Sequence, residues 1–299
     1  MRVPFFTICI PTYNRGDRVL NAVKSVQRQS FKDFEILVVD DGSIDCTNSL
    51  FQLNLIQDDR VFYLQKDNGG KYTAINMGVR LARGKYFIIL DSDDIMCKDT
   101  LKIMYHMLQQ NPNLGGVIGK FSDKDNHRIG DPFSSSKETI SYIDFHFRDG
   151  FSFTGNRYKD CFECNRTASL KRICFPEDKS IKFIPESWLF DQLGDSHRLA
   201  VTNEIFGEKE YLSDGITKNY GDQFNRENYR GLLLRYTSDI NVIFEMHSIP
   251  AFVELNTWIH YWILKPYDLN NEFVVRHGIF SLLGRALVPI YKAIKKLTK

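Results

Sequence analysis

The chain has 299 residues, 43% of them hydrophobic, and its 39 Lys and Arg stand against 37 Asp and Glu for a formal net charge of +2. That length fits one large domain, or one domain with an extension, with ample apolar content for a core. The near-neutral balance excludes the broad positive field of a nucleic-acid binder, and six scattered cysteines exclude a disulfide scaffold and fit a reducing compartment.

Met1-Arg2-Val3-Pro4 runs straight into a strand pattern, without the apolar segment and cleavage site of a signal peptide. No window approaches the roughly 20 apolar residues that span a bilayer. The expectation is a cytoplasmic protein.

The first half alternates strand and helix. Phe5 to Ile10 is an apolar run followed by the turn-rich Pro11-Thr12-Tyr13-Asn14-Arg15-Gly16. Asp17 is the expected N-cap of a helix carrying Val19, Leu20, Val23 and Val26 at helical spacing. Glu35 to Val39 is a second strand, ending in Asp40-Asp41-Gly42-Ser43, and a helix from Asp45 to Ile56 follows. Val61 to Gln65 is a third strand, ending in Asp67-Asn68-Gly69-Gly70. Ala74, Ile75, Met77, Gly78, Leu81 and Ala82 then form one helix face, stopped by Arg83-Gly84. Tyr86 to Leu90 is a fourth strand and Leu101 to Leu108 the next helix. Such alternation predicts a mostly parallel sheet with helices on both faces.

Asp91-Ser92-Asp93-Asp94 comes directly after the fourth strand. Ligands of open α/β sheets sit beyond the carboxyl ends of the strands. Clustered carboxylates there are costly unless a cation pairs with them. Oxygen-only donors suit Mg²⁺ or Mn²⁺, which also carries substrate phosphates.

The second half is less regular. Phe121 to Ser136 is polar and turn-like, Phe145 to Tyr158 aromatic, and a helical pattern sets in from about Gly221. Cys161-Phe162-Glu163-Cys164 is a lone C-x-x-C; zinc needs two more ligands, and Cys174 and His197 are too irregularly placed to supply them. Near the C-terminus Ile279, Leu283, Ala286, Leu287, Ile290, Ile294 and Leu297 form one helical stripe. Arg285, Lys292, Lys295, Lys296 and Lys299 lie off it, and no acidic residue follows Glu272. Two readings fit: a basic amphipathic helix on an anionic membrane, or a terminal helix docked on the domain with a solvated basic face. Pro289 is expected to kink this helix or divide it.

Four segments, in order, resemble family 2 glycosyltransferases. Ile8-Cys9-Ile10-Pro11-Thr12-Tyr13-Asn14 is similar to their opening segment, and Val38-Val39-Asp40-Asp41-Gly42-Ser43 to their VVDDGS. Asn68-Gly69-Gly70-Lys71, Ala74-Ile75-Asn76-Met77-Gly78 and Ala82-Arg83-Gly84 resemble their N-G-G…A-x-N-x-G…A-x-G, and Asp91-Ser92-Asp93 their D-x-D. The resemblance implies a GT-A fold, a mostly parallel Rossmann-like sheet flanked by helices with a helical C-terminal extension. The implied division is 1–215 for the glycosyltransferase domain (1–120 nucleotide-sugar binding, 121–215 acceptor part) and 216–299 for the extension.

The resemblance also implies an inverting transfer from a nucleotide-sugar donor, a UDP-sugar, with Mn²⁺ or Mg²⁺. Its acceptor would be a glycan, lipid-linked, in surface polysaccharide synthesis on the inner face of the plasma membrane. Pro11, Thr12, Tyr13 and Asn14, with Asp40 and Asp41, would cradle the base and ribose. Taken alone, Asp40-Asp41 reads as an Asx-turn capping the next helix, and it is the other loops that turn the reading toward the donor. Asn68, Gly70, Lys71, Asn76 and Ser92 would line the donor site, with Lys71 aided by a helix N-terminus or merely a surface lysine. Asp91 would contact the ribose or the ion's water, and Asp93 the ion. Asp94 is a third contact or a helix cap, and Arg83 faces the crevice or complements a helix dipole.

Inverting transfer needs a carboxylate base for the acceptor hydroxyl. In Pro185-Glu186-Ser187-Trp188-Leu189-Phe190-Asp191, Glu186 aligns best with the family's base and Asp191 is the alternative. Trp188 lines the acceptor site or packs in the core. A nucleotidyltransferase would show a Gly-rich phosphate loop after the first strand, which Pro11-Thr12-Tyr13-Asn14 is not. A silent carbohydrate-binding relative has no chemical need for Asp41, Asp91 and Asp93. A processive synthase of this kind would carry membrane spans and a Q-x-x-R-W motif.

Overall fold

Alternate residues of the early strands divide between two cores in the computed structural model, which describes residues 3–54, 58–152, 155–210, 221–246, 248–275 and 277–297. The chain begins β1 (Phe6–Thr12), α1 (Gly16–Gln27), β2 (Phe34–Asp40), α2 (Thr47–Asn54), β3 (Val61–Gln65), α3 (Lys71–Leu81), β4 (Tyr86–Ile89), β5 (Ile95–Met96) and α4 (Thr100–Gln110). It continues through β6 (Gly116–Ser122), β7 (Thr139–Ile140), α5 (Tyr142–Phe147), the hairpin β8 (Phe151–Ser152) and β9 (Gly155–Asn156), then β10 (Cys161–Arg166), α6 (Thr167–Leu170), α7 (Glu186–Asp191) and β11 (Leu199–Glu208).

Phe6, Ile8 and Ile10 of β1 and Ile36 and Val38 of β2 pack on Val19, Val23 and Val26 of α1 and Leu101 and Met104 of α4. Cys9, Leu37, Val39 and Phe87 point the other way, onto Ala74, Ile75 and Val79 of α3. The period of two along each strand thus feeds both faces.

The large sheet has nine strands, in the order β3-β2-β1-β4-β10-β6-β11-β5, with β7 also on β11. Strands β3, β2, β1 and β4 are parallel. Strand β10 is inserted antiparallel between β4 and β6, and β6 and β11 are parallel again. The expected GT-A architecture is present, as a mixed sheet. Cys161 and Cys164 of β10 fall in different cores, on opposite faces.

Two local expectations need correction. β1 continues through Pro11 and Thr12 rather than turning at Ile10. Its pairing with β4 ends at Cys9↔Ile89, so Pro11, lacking an N–H, sits past the last rung on that side. α1 starts at Gly16, ahead of Asp17, with Arg15 in the N-cap position.

Among the described residues four α-helices follow: α8 (Asp222–Glu227), α9 (Tyr229–Glu245), α10 (Ala251–Leu264) and α11 (Ile279–Leu297). The expected boundary at 215/216 lies outside the described residues. Leu232, Leu233, Ile240, Trp258, Tyr261 and Leu264 form their core. Ile143 and Phe147 of α5 share a cluster with Ile243 of α9 and Val253 of α10. Gly231 presses on the chain before α7, where an added Cβ would lie 1.7 Å from the Phe183 carbonyl oxygen. α11 is one helix running through Pro289, not two. Pro289 and Arg285, whose carbonyl lacks its usual N–H partner, are both exposed, so water can serve that carbonyl.

Candidate active site

Parallel strands bring the carboxyl ends of β1, β2, β3, β4 and β11 to one edge, and antiparallel β10 brings its first residues there too. Asp40 ends β2; its carboxylate accepts the Ser43 N–H at 2.8 Å and the Tyr63 hydroxyl. Buried Asp41 accepts the N–H groups of Gly69 (3.0 Å) and Gly70 (2.7 Å) and pairs with Lys66 Nζ at 2.7 Å. Asn68 donates to the Asp41 carbonyl at 2.9 Å. These bonds lock the loop after β3 onto the loop after β2. Gly70 has φ +94°, and a Cβ there would lie 2.5 Å from the Lys182 carbonyl oxygen.

Asn14, at φ 51°, ties the first loop to the second. Its N–H donates to Ser43 Oγ at 2.8 Å and its Oδ1 accepts the Ile44 N–H at 2.9 Å. Tyr13 stands exposed beside it. Thr12 is buried, and its hydroxyl has no partner among the described residues.

The loop after β4 carries the densest charge. Lys71, the first residue of α3, bonds Asp91 and lies 2.5 Å from Glu186 Oε1. Lys209, just past β11, lies 3.6 Å from Asp91, 3.5 Å from Asp94 and 3.7 Å from Asp160. Asp93 faces Arg15 at 3.8 Å. Ser92 is buried between them in sequence.

Burial opposes ionisation of Asp91, but Lys71 and Lys209 outweigh it and hold the carboxyl well below the usual range. Burial likewise opposes charge on Lys71, yet Asp91 and Glu186 keep it protonated. Burial, with Asp91 and Asp93 nearby, pushes Asp94 up to about 8 against the pull of Lys209. Glu163 of β10 is pushed well above the carboxylate range by burial and then by Glu186 and Asp160.

The donor set is all oxygen, gathered around cationic side chains, and buried Asp94 Oδ1 has no partner among the described residues. That chemistry fits a hard divalent ion. A tighter group, Asp123, Asp125 and His127, has ligand atoms within 4.8 Å of one another. It is a surface turn after β6, in which Asp123 accepts the N–H groups of Asp125 and His127 at 2.9 Å each.

Other expected residues lie elsewhere. Asn76 is buried and clasps the Phe175 backbone, donating to its carbonyl and accepting its N–H at 2.9 Å each. Arg83 lies past the end of α3 and grips Glu35 at 2.6 Å, at the opposite edge of the sheet from the site. Trp188 stacks on Phe175, ring centroids 5.7 Å apart, against the core. Asp191 is buried at the far end of α7, with Oδ1 2.5 Å from His146 Nδ1. Of the two acidic candidates, Glu186 joins the cluster and Asp191 does not.

Asp160, Glu163 and Lys209 were not expected. In sequence they sit among ordinary charges, and only the insertion of β10 between β4 and β6, with β11 alongside, brings them to the edge.

The family model for glycosyl transferase family 2 matches residues 7–167, over half the chain. The chain belongs to glycosyl transferase family 2. A curated relative, glycosyltransferase GlyG of Streptococcus pneumoniae, is 34% identical over 120 residues, 40% of each protein. Chondroitin synthase of Escherichia coli is 32% identical over 154 residues, 49% of this chain and 22% of the synthase. The chain thus spans less than half of either. Among solved structures, Staphylococcus aureus TarS 1-349 in complex with UDP-GlcNAc has a TM-score of 0.58 at 19% identity, covering 95% of this chain and 79% of that one. A Pyrobaculum calidifontis mannosyltransferase in complex with GDP-Man and Mn²⁺ has a TM-score of 0.56 at 16% identity, covering 98% and 81%. At these identities the likeness bears on the fold. Among the described residues no helix is long and apolar enough to cross a membrane.

Proposed function

We propose that the protein moves one sugar from a nucleotide-diphosphate donor, a UDP-sugar, to a glycan hydroxyl with inversion at the anomeric carbon. The observation that carries this is the convergence of Asp91, Glu186 and Lys71 at one point beside the loops of Asp40 and Asp41. The donor's base would lie against exposed Tyr13 and near Thr12, where the unpartnered hydroxyl offers a hydrogen bond. Lys71 and Lys209 carry the positive charge that a diphosphate needs. A Mn²⁺ or Mg²⁺ held by Asp91 and Asp93 would offset the charge of the leaving nucleoside diphosphate.

Glu186 is the base. Its carboxylate takes the proton of the acceptor hydroxyl as that oxygen bonds to the anomeric carbon. The bond from that carbon to the phosphate oxygen breaks, and no glycosyl-enzyme forms. Asp191, already engaged with His146, holds α7 in place.

The acceptor in this reading is a lipid-linked glycan of a surface polysaccharide, worked on at the inner face of the plasma membrane. The chondroitin synthase likeness supports a polysaccharide route. The test is release of nucleoside diphosphate from a panel of nucleotide sugars with Mn²⁺. One donor should be consumed, slowly in water and faster with acceptor glycan, and Glu186→Gln should abolish the acceptor-stimulated part. Equal turnover by Glu186→Gln would remove the base from this scheme.

A further inference from the structure

We infer that the outward face of α11 is a docking surface for an anionic lipid bilayer. Amphipathic helices ordinarily turn their apolar stripe to the core. α11 packs Phe280 on the helical core but turns most of its aliphatic stripe outward. It packs on α10 through Ser281, Gly284 and Tyr291: Trp262 Nε1 donates to the Ser281 carbonyl at 2.9 Å, a Cβ at Gly284 would lie 2.7 Å from Trp258 Cβ, and Tyr291 reaches His260 Nε2 at 3.1 Å.

Five large aliphatic side chains point away, while Leu287 and Val288 are half-buried. Ile279 and Leu282 are each 70% exposed, Ile294 57%, Ile290 55% and Leu283 46%. At about 100° per residue all five fall within an arc of about 120°, opposite the docked face. Exposed Phe244, which Gly278 approaches, extends the patch at the helix start.

Charge identifies the occupant. After Glu272 the sequence has six cations, Arg276, Arg285, Lys292, Lys295, Lys296 and Lys299, and no acid. Arg285, over the Trp262 ring at 5.0 Å, and Lys292 fall about 60–80° beyond one edge of the stripe, while Lys295, in the groove beside His260, falls on the far side from it, so none interrupts it. Exposed basic side chains along one edge of an apolar arc, with no acid among them, match the headgroup and acyl levels of an anionic leaflet. A second copy of the chain is a poorer partner. A two-fold contact sets stripe on stripe and brings like-charged flanks together. The helix therefore lies on the bilayer rather than crossing it. The inference stands on this face alone, so its failure leaves the transfer reaction untouched.

The test is co-sedimentation of the full chain with vesicles of phosphatidylcholine alone or mixed with phosphatidylglycerol, alongside light scattering without lipid. Binding should favour the mixed vesicles, weaken with salt, and fall at least about tenfold in the doubly substituted Leu283→Ser, Ile290→Ser protein. Both side chains are exposed, so an unchanged thermal melt is expected. Lys292→Gln should cost about fivefold on mixed vesicles only. Failure to bind mixed vesicles, equal binding by the double variant, or a dimer that the double variant dissolves would each overturn the inference.

Discussion

Lys71 Nζ stands 2.5 Å from Glu186 Oε1 while also bonding Asp91, so one ammonium joins the start of α7 to the loop after β4. The acidic group proposed as base is thereby held at a fixed place against the donor-binding loop. Lys71→Met removes both bonds and leaves Asp91 with Lys209 alone. Turnover should fall by about 100-fold, the scale for losing one preorganised charge partner, measured by steady-state kinetics with donor and acceptor.

Glu186 and Asp191 should separate cleanly. Glu186→Gln should lower transfer by about 100- to 10,000-fold, the range for general-base loss, while donor binding persists. Asp191→Asn should keep most transfer but destabilise the fold by about 1–3 kcal/mol, because it weakens a buried bond to His146. Kinetics together with urea unfolding of both variants decide this.

Two histidines set an acid limit on stability. Burial lowers His197 to about 4, helped by Arg166 and Arg172. Burial likewise lowers His260 to about 4, despite its bond to the Asn256 carbonyl. Below about pH 6.5 the unfolded chain binds these protons and the folded chain does not, so the histidines' contribution to stability is full above that pH and is lost as pH falls toward 4. Asp94 and Glu163, held protonated in the fold, act in the opposite sense, so the histidine contribution is read as a difference: the urea midpoint of wild type relative to His197→Gln should fall from pH 7 to pH 5.

Gly231→Ala tests how the terminal helices are seated. A Cβ 1.7 Å from the Phe183 carbonyl oxygen cannot fit, so α9 must shift from the chain leading into α7. The cost should be about 2 kcal/mol or more, read as a lower unfolding midpoint.

The strands from β1 to β4 were legible because apolar runs, turn residues and helical periods alternate there in chain order. Asp41 and Asp91 were legible because they end buried strands. Asn76 and Arg83 share the recognised motif region, yet they fasten the 175–177 loop and Glu35, since a motif does not say which way each helix face points. Glu163 and Lys209 were hidden because sequence does not reveal strand direction, and an antiparallel β10 is what turns Glu163 toward Glu186. In α11 the stripe was legible, but not that it faces outward, because that depends on Gly284 fitting against Trp258.

The most direct measurement is calorimetric titration of nucleotide sugars into the protein with Mn²⁺ and with chelator, for wild type and Asp93→Ala. One donor should bind with Mn²⁺ and lose about tenfold or more in affinity on chelation or in the variant. Binding of no nucleotide sugar, or undiminished binding by Asp93→Ala, would contradict metal-assisted sugar transfer at this site.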